Sequence, residues 1–255
     1  MAFDGALGIA NAVEFLGFNF NPLDLDLATD AVAARASLAL PFAYVVTPNV
    51  DHVVSLSKDK TRRSLYDRAW LTLNDSKVLR GLARRASVDL PTATGADLTE
   101  RLFDTVIDRH EAITIIGGDA DSIVELKRRY GLTNVRWHNP PMGLMHKPLA
   151  IVEAAAFAAA QNSRFTFICV GAPQQELIAY AIAQRGDATG VGLCCGAALD
   201  FISGRTPRAP NWMRKVGLEW LHRLASEPKR LWRRYLVDGP AVFSLFSAWR
   251  AAMAA

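Results

Sequence analysis

The chain lacks most of the devices that hold small secreted or metal-dependent proteins together. Only three of its 255 residues are cysteine (Cys169, Cys194, Cys195), an odd number without CxxC spacing. That pattern argues against a disulfide framework and a zinc site, and the apolar settings read as small core residues. The five histidines (His52, His110, His138, His146, His222) form no HxH, HxxxH or HExxH pattern, so no metal is expected. No GxGxxG fingerprint and no Walker GKS or GKT occurs, which speaks against NAD and against a P-loop; no cofactor is expected. No uncharged apolar run approaches the roughly 20 residues that span a bilayer. The segment MAFDGALGIANAVEFLGF carries acids and no early Lys or Arg, a poor signal peptide, so the expected location is the cytoplasm. Internal repeats and low-complexity linkers are absent as well.

What is present is an ordinary globular composition, 51% hydrophobic and 21% charged, on a chain long enough to bury a sizeable core. Short apolar runs read as buried strands at Phe42–Val46, Trp70–Leu73, Ala112–Ile116, Asn134–Trp137, Phe165–Val170 and Gly190–Cys194. Helical periodicity fills the intervals Asp51–Arg68, Gly95–Arg109, Ala120–Tyr130, Lys147–Gln161 and Gln174–Gln184. This alternation predicts an α/β fold, helices flanking a mainly parallel sheet. Ligands of such sheets bind outside the carboxyl ends of the strands. Each predicted strand is followed there by a polar or glycine-rich cluster.

Each cluster has two readings. Asp75, after WLTLN, is a general base or a helix N-cap. Thr47 and Asn49 can bond a sugar or phosphate, or cap the helix that begins near Asp51; the cap is the better reading from spacing alone. Asp51 is a rival base but belongs to a first helical turn. Gly117 and Gly118, between a strand and a helix, would let backbone N–H groups approach a phosphate, a weak signal. Gly143 ends the run HNPPMG. In VGAPQQE, Gly171 and Pro173 shape a turn, and Gln175 opens a helix as a sugar or diphosphate donor or as a solvated turn residue. Gly196 to Asp200 form the last cluster.

The composition shifts near Ser203–Pro210. From Arg205 to Arg250 ten Lys or Arg residues face three acids, a local charge of about +7 on a chain of net charge +4. Four of the six tryptophans lie there. Arg223, Arg230 and Arg233 or Arg234 fall near one helical face and can grip a diphosphate bidentately. Arg beside Trp and Leu fits phosphates or an anionic membrane surface. Basic residues are sparse elsewhere and no nucleic-acid motif is visible, so no nucleic acid is expected. The division is a core over 1–203 and a helical appendage over 204–255.

Together TPNVDH (47–52), LNDS (73–76), TGADL (94–98), IIGGDADS (115–122), NPPMG (139–143), GAPQQE (171–176) and the long block 196–237 resemble the WecG/TagA/CpsF glycosyltransferases, family 26. The resemblance covers almost the whole chain. It implies a bacterial, inverting, metal-independent enzyme with a Rossmann-like core. Such an enzyme moves a hexose-type sugar (N-acetylmannosamine, its uronic acid or glucose class) from a UDP-sugar to an undecaprenyl-diphosphate-linked acceptor. The products feed teichoic acid, common antigen, capsule or exopolysaccharide at the cytoplasmic membrane face. Carried over residue by residue, the base falls on Asp75, the active-site Thr on Thr47 with Asn49 beside it, and a catalytic Gln on Gln175. Donor binding falls on Gly117, Gly118, Gly143, Gly171, Gly196 and Asp200, the last near the uridine. Diphosphate or acceptor binding falls on Arg223, Arg230 and Arg233, in an appendage that closes the site at the membrane; an apolar appendage is also compatible with homo-oligomers. One departure stands out: the family usually has Gly after the base, and this chain has Ser76. If that position needs positive φ, Ser is strained there, and the alternative is a non-catalytic UDP- or lipid-diphosphate-binding scaffold.

Overall fold

A computed structural model describes residues 11–253. The opening ten residues, part of the segment read above as a poor signal peptide and of the 1–203 core, lie outside the described residues, as do the last two. The strands are β1 (Val13–Phe15), β2 (Phe18–Phe20), β3 (Ala43–Val46), β4 (Leu71–Thr72), β5 (Ile113–Gly117), β6 (Val135–His138), β7 (Phe165–Cys169) and β8 (Val191–Cys194). The helices are α1 (Leu25–Ala36), α2 (Val50–Lys58), α3 (Arg63–Asp67), α4 (Lys77–Arg85), α5 (Gly95–Thr105), α6 (Ala120–Tyr130), α7 (Pro148–Gln161), α8 (Gln174–Arg185) and α9 (Ala198–Ile202). The C-terminal segment adds α10 (Asn211–Val216), α11 (Glu219–Ser226), α12 (Pro228–Trp232), a π-helical stretch (Arg233–Asp238) and α13 (Ala241–Met253).

Six strands form one parallel sheet in the order β4-β3-β8-β7-β5-β6. All six match the predicted strands. The fold is α/β, as the alternation implied, and Rossmann-like, as the resemblance implied. Side chains alternate across the sheet. Tyr44, Val46, Ile116, Ile168 and Cys194 enter the core against α2, α7 and α8. Val45, Ile113, Ile115, Phe165, Phe167, Leu193 and Cys195 enter the opposite core against α1, α5 and α9. Both faces are covered, which is why the strands are continuous apolar runs. From β7 the chain crosses to β8 and from β5 to β6, in opposite directions along the sheet, so the strand order reverses between β5 and β7.

Three features differ from the sequence reading. The helix expected over Asp51–Arg68 breaks at Asp59, whose carboxylate accepts from the Thr61 N–H at 3.0 Å and hydroxyl at 2.6 Å. That local turn competes with helix continuation and restarts the chain in a 3₁₀ turn before α3. The hairpin β1–β2 and helices α1 and α4 were not anticipated; the hairpin strands are three residues each, too short for periodicity to register. Finally, α13 packs on that hairpin: Trp249 and Phe15 rings meet edge-on at 5.1 Å, and the Trp249 indole N–H donates to Glu14 at 2.9 Å.

Candidate active site

A cleft of about 430 Å³ opens at the carboxyl ends of β7 and β8. One wall is the pair of loops after those strands: Cys169, Val170 and Gly171, then Gly196, Ala197, Asp200 and Phe201. The other is the C-terminal segment: Thr206, Pro207 and Ala209, then Glu219, His222, Arg223, Ser226, Glu227 and Arg230. Those last six recur at helical spacing, so α11 and the start of α12 turn one wholly polar face to the cleft. Arg223 and Arg208 both lie over the Phe201 ring, at 5.6 and 5.8 Å from its centre. Arg230 is held bidentately by Glu227 at 2.6 and 2.8 Å. Asp200 accepts from Ser122 at 3.5 Å; burial, only partly offset by Arg205, pushes its carboxyl above the usual range.

The C-terminal segment is fastened to the core by charge. Arg208 reaches Glu100 and Asp97 on α5, both at 2.7 Å, and Arg214 pairs with the same Asp97 oxygen. Arg205 pairs with Asp119, the N-cap of α6. Arg234 pairs with Asp51 at 3.2 Å, which accounts for the rival base candidate.

Beside the cleft, the loops after β3 and β4 are joined: the Asp75 N–H donates to the Pro48 carbonyl at 3.1 Å. Asn74 is buried, donating to Pro91 at 3.1 Å and accepting from the Ser76 N–H at 3.0 Å. Ser76, not Asp75, caps α4, its hydroxyl accepting from the Leu79 N–H at 3.2 Å. The φ of Ser76 is −156°, extended backbone that any residue adopts, so the strain considered from sequence does not arise. Asp75 is thus released from the cap. Burial, followed by the nearby Glu219 charge, pushes its carboxyl up to about 8, against the opposing pull of Arg223 and Arg208. Asp75 does not line the cleft, but Glu219 and Arg223 in its surroundings do.

Of the other candidates, Gly171, Gly196, Asp200, Arg223 and Arg230 line the cleft. Asn49 is used as the cap of α2, accepting from the Asp51 N–H at 3.1 Å while its own N–H donates to His52 Nδ1 at 3.2 Å. Burial, then Arg234, lowers His52 to about 4, so that ring stays neutral. Thr47 sits against the first turn of α5, where a Cβ on Gly95 would lie 2.7 Å from its hydroxyl. Gln175 is buried; its Oε1 accepts from the Gly196 N–H at 2.8 Å and its amide donates to the buried Glu176 at 2.9 Å, fixing a cleft loop from behind. Gly117 and Gly118 are packed under Val170 and Leu199 and do not reach the cleft lining. Gly143, in the loop after β6, is not part of the cleft lining, nor is Arg233 at the start of the π-helical stretch, whose side chain is 75% exposed and 3.7 Å from Asp238. The helix breaks at Glu227–Pro228 and widens to π geometry from Arg233, which moves that arginine off the face of Arg223 and Arg230.

Sequence reasoning missed Glu219, His222, Ser226 and Glu227. Their 3-and-4 spacing with Arg223 and Arg230 was the available signal. The anchors Asp97 and Glu100 had none, because their partners lie more than a hundred residues away. Among the described residues no group of three or more His, Cys, Asp or Glu is arranged to hold a metal.

A parallel α/β sheet with a polar, arginine-bearing cleft at its carboxyl edge defines a Rossmann-like ligand-binding protein. A family model described as the glycosyl transferase WecG/TagA/CpsF family matches residues 13–254. The chain belongs to this family of glycosyltransferases, which places it in polysaccharide biosynthesis with a sugar donor and an acceptor as substrates.

Proposed function

We propose that the protein is an inverting, metal-independent hexosyltransferase that takes its sugar from a UDP-sugar. Its acceptor is a sugar on undecaprenyl diphosphate, met at the inner face of the cell membrane. The observation that carries the reading is the position of Asp75. It is a carboxylate released from capping, raised to about 8, beside a cleft that carries arginines. A base acts best when its pKa lies near the working pH.

In a single displacement the acceptor hydroxyl oxygen bonds to the anomeric carbon and the bond from that carbon to the UDP oxygen breaks. The hydroxyl proton passes to Asp75. UDP leaves with its charge facing Arg223 and Arg230, which do the work a divalent ion does elsewhere. One such contact is worth roughly 2–4 kcal/mol in the transition state, or about 30- to 1000-fold in rate. On this reading Asp200 receives the uridine, Gly171 and Gly196 border the donor, Thr47 orients the acceptor or donor hydroxyls, and Gln175 acts through Gly196.

Residues 204–255 serve as the element that closes the site and meets the membrane. Trp212, Trp232, Leu236 and Val237 are exposed there beside Arg233 and Lys229. Such a surface suits an anionic bilayer. Among the described residues no helix is long and apolar enough to cross a membrane. The non-catalytic scaffold reading rested on Ser76, and its extended backbone removes that support.

The test is transfer from a panel of UDP-sugars to a short-chain polyprenyl-diphosphate-GlcNAc or -Glc acceptor, with UDP release and product mass both read. A donor-specific product that vanishes with Asp75→Asn supports the reading. UDP binding without turnover across the panel overturns it in favour of the scaffold.

A further inference from the structure

Cys169 and Cys195 are the last residue of β7 and the residue just beyond β8, neighbours in the parallel sheet. Their sulfurs lie 3.3 Å apart. The pairing Ile168↔Cys194 carries the register one step further to these two positions, and the Cys195 N–H donates to the Ile168 carbonyl at 3.2 Å. Adjacent strands lie roughly 4.8 Å apart, which falls within the Cα separation that a disulfide spans. Cys169 lines the cleft, whereas Cys195 is nearly buried behind it. Cys194 points through the sheet to the opposite core, so the side-chain alternation of β8 separates it from the pair. No third His, Cys, Asp or Glu among the described residues joins them in a metal-holding group.

We propose that Cys169 and Cys195 form a modification site, a dithiol on the cleft floor that a peroxide-class oxidant closes to a disulfide. The cleft-facing Cys169 sulfur attacks the peroxide O–O bond, giving a sulfenic acid and one water. Cys195 sulfur then displaces the hydroxyl of that sulfenic acid, forming the S–S bond and a second water. Two thiol hydrogens leave and one hydrogen peroxide becomes two waters. The sulfurs draw together from 3.3 Å to about 2.05 Å, which staples the two loops, bearing Gly171 and Gly196, that make one wall of the cleft. The Cys195 hydrogen bond and burial hold the Cys169 thiol well above its ordinary range, so closure is slow and needs sustained oxidant. The proposal does not depend on the identity of the donor sugar or on transferase activity.

The test treats the folded, full-length protein with hydrogen peroxide, traps remaining thiols and maps tryptic peptides. The expected product has lost two hydrogens, about 2 Da, and links peptide 165–185 to peptide 186–205 through Cys195. Dithiothreitol reverses it, and Cys194→Ser leaves the yield unchanged. Cys169→Ser and Cys195→Ser abolish it; the wild-type map decides the matter even if one of these fails to fold. Sulfinic or sulfonic acid on Cys169 without a cross-link, a Cys194–Cys195 bond, or three unmodified thiols after prolonged exposure would each overturn the proposal.

Discussion

Asp97 on α5 accepts from Arg208 at 2.7 Å, and the same oxygen receives Arg214, so one carboxylate fastens two arginines of the C-terminal segment to the core. The ion pair is mostly shielded from water, with the Arg208 side chain only 14% exposed. Burial alone would raise Asp97, but Arg208, the Thr94 hydrogen bond and Arg214 hold it below the ordinary carboxylate value. A depressed folded-state pKa contributes stability above the unfolded value and loses it as pH falls through the folded one. The clamp is therefore intact at neutral pH, and its contribution is lost only in acid, as pH falls past the ordinary carboxylate value and through the lower folded-state one. Asp97→Asn should leave Arg208 half-satisfied, cost roughly 2–3 kcal/mol, and make residues 204–232 sensitive to limited proteolysis. Proteolysis as slow as in the wild type would show that the clamp does not hold the segment.

Asp75 gives a signed pH dependence. As the proposed base, with its carboxyl raised to about 8, it must lose its proton to act, so transfer should climb with pH through that value and level off above it. Glu219→Gln removes the second contribution to the shift and should move the midpoint toward acid while Asp75 remains. A midpoint unchanged in that variant would remove Glu219 from the site's electrostatics.

The same carboxyl weakens the fold at alkaline pH. Its folded pKa lies above its unfolded one, so the folded state holds the extra proton between about pH 4 and 8, and stability falls as pH rises across that window. Asp75→Asn should abolish transfer, by about 10³-fold or more, while melting at higher temperature than the wild type, with the gap widest above pH 8. Thermal melts at pH 5 and pH 9 check this, and a variant that melts lower at both would refute the burial argument.

Ser76→Gly is expected to bring no gain. The backbone there is extended and the hydroxyl caps α4. Gly should cost a few tenths of a kcal/mol and leave transfer within about twofold, and Ala should cost about 1 kcal/mol. A large rise in transfer with Gly would mean that the loop adopts another conformation in the working enzyme.

Trp212 and Trp232 are more than half exposed. Replacing both by Ser should cut sedimentation with phosphatidylglycerol vesicles about tenfold, and salt should weaken the remainder by screening the arginines. Equal sedimentation of the double variant would place the membrane contact elsewhere.

The six sheet strands were legible because each is a run buried on both faces, and such runs stand out without any partner being known. Gln175 and Asn49 show where legibility stopped. For Asn49 the spacing already favoured a helix cap, and it does cap the first turn of α2, whereas Gln175, open between a ligand donor and a solvated turn residue, is buried and taken by the Gly196 N–H. A polar residue at a strand's end looks the same in sequence whether it faces a ligand or a backbone group.

The sequence by itself determined the α/β class, the family and the existence of a basic, aromatic C-terminal segment. These depend on local periodicity, composition and the order of motifs along the chain. Only the tertiary structure decided that Ser76 rather than Asp75 is the cap, that Arg223 and Arg230 share a wall which Arg233 leaves, and that Asp97 holds the segment in place. Those outcomes turn on hydrogen bonds and ion pairs between residues distant in sequence. Distance-dependent electrostatics and burial select among several locally equivalent partners only once the chain has folded.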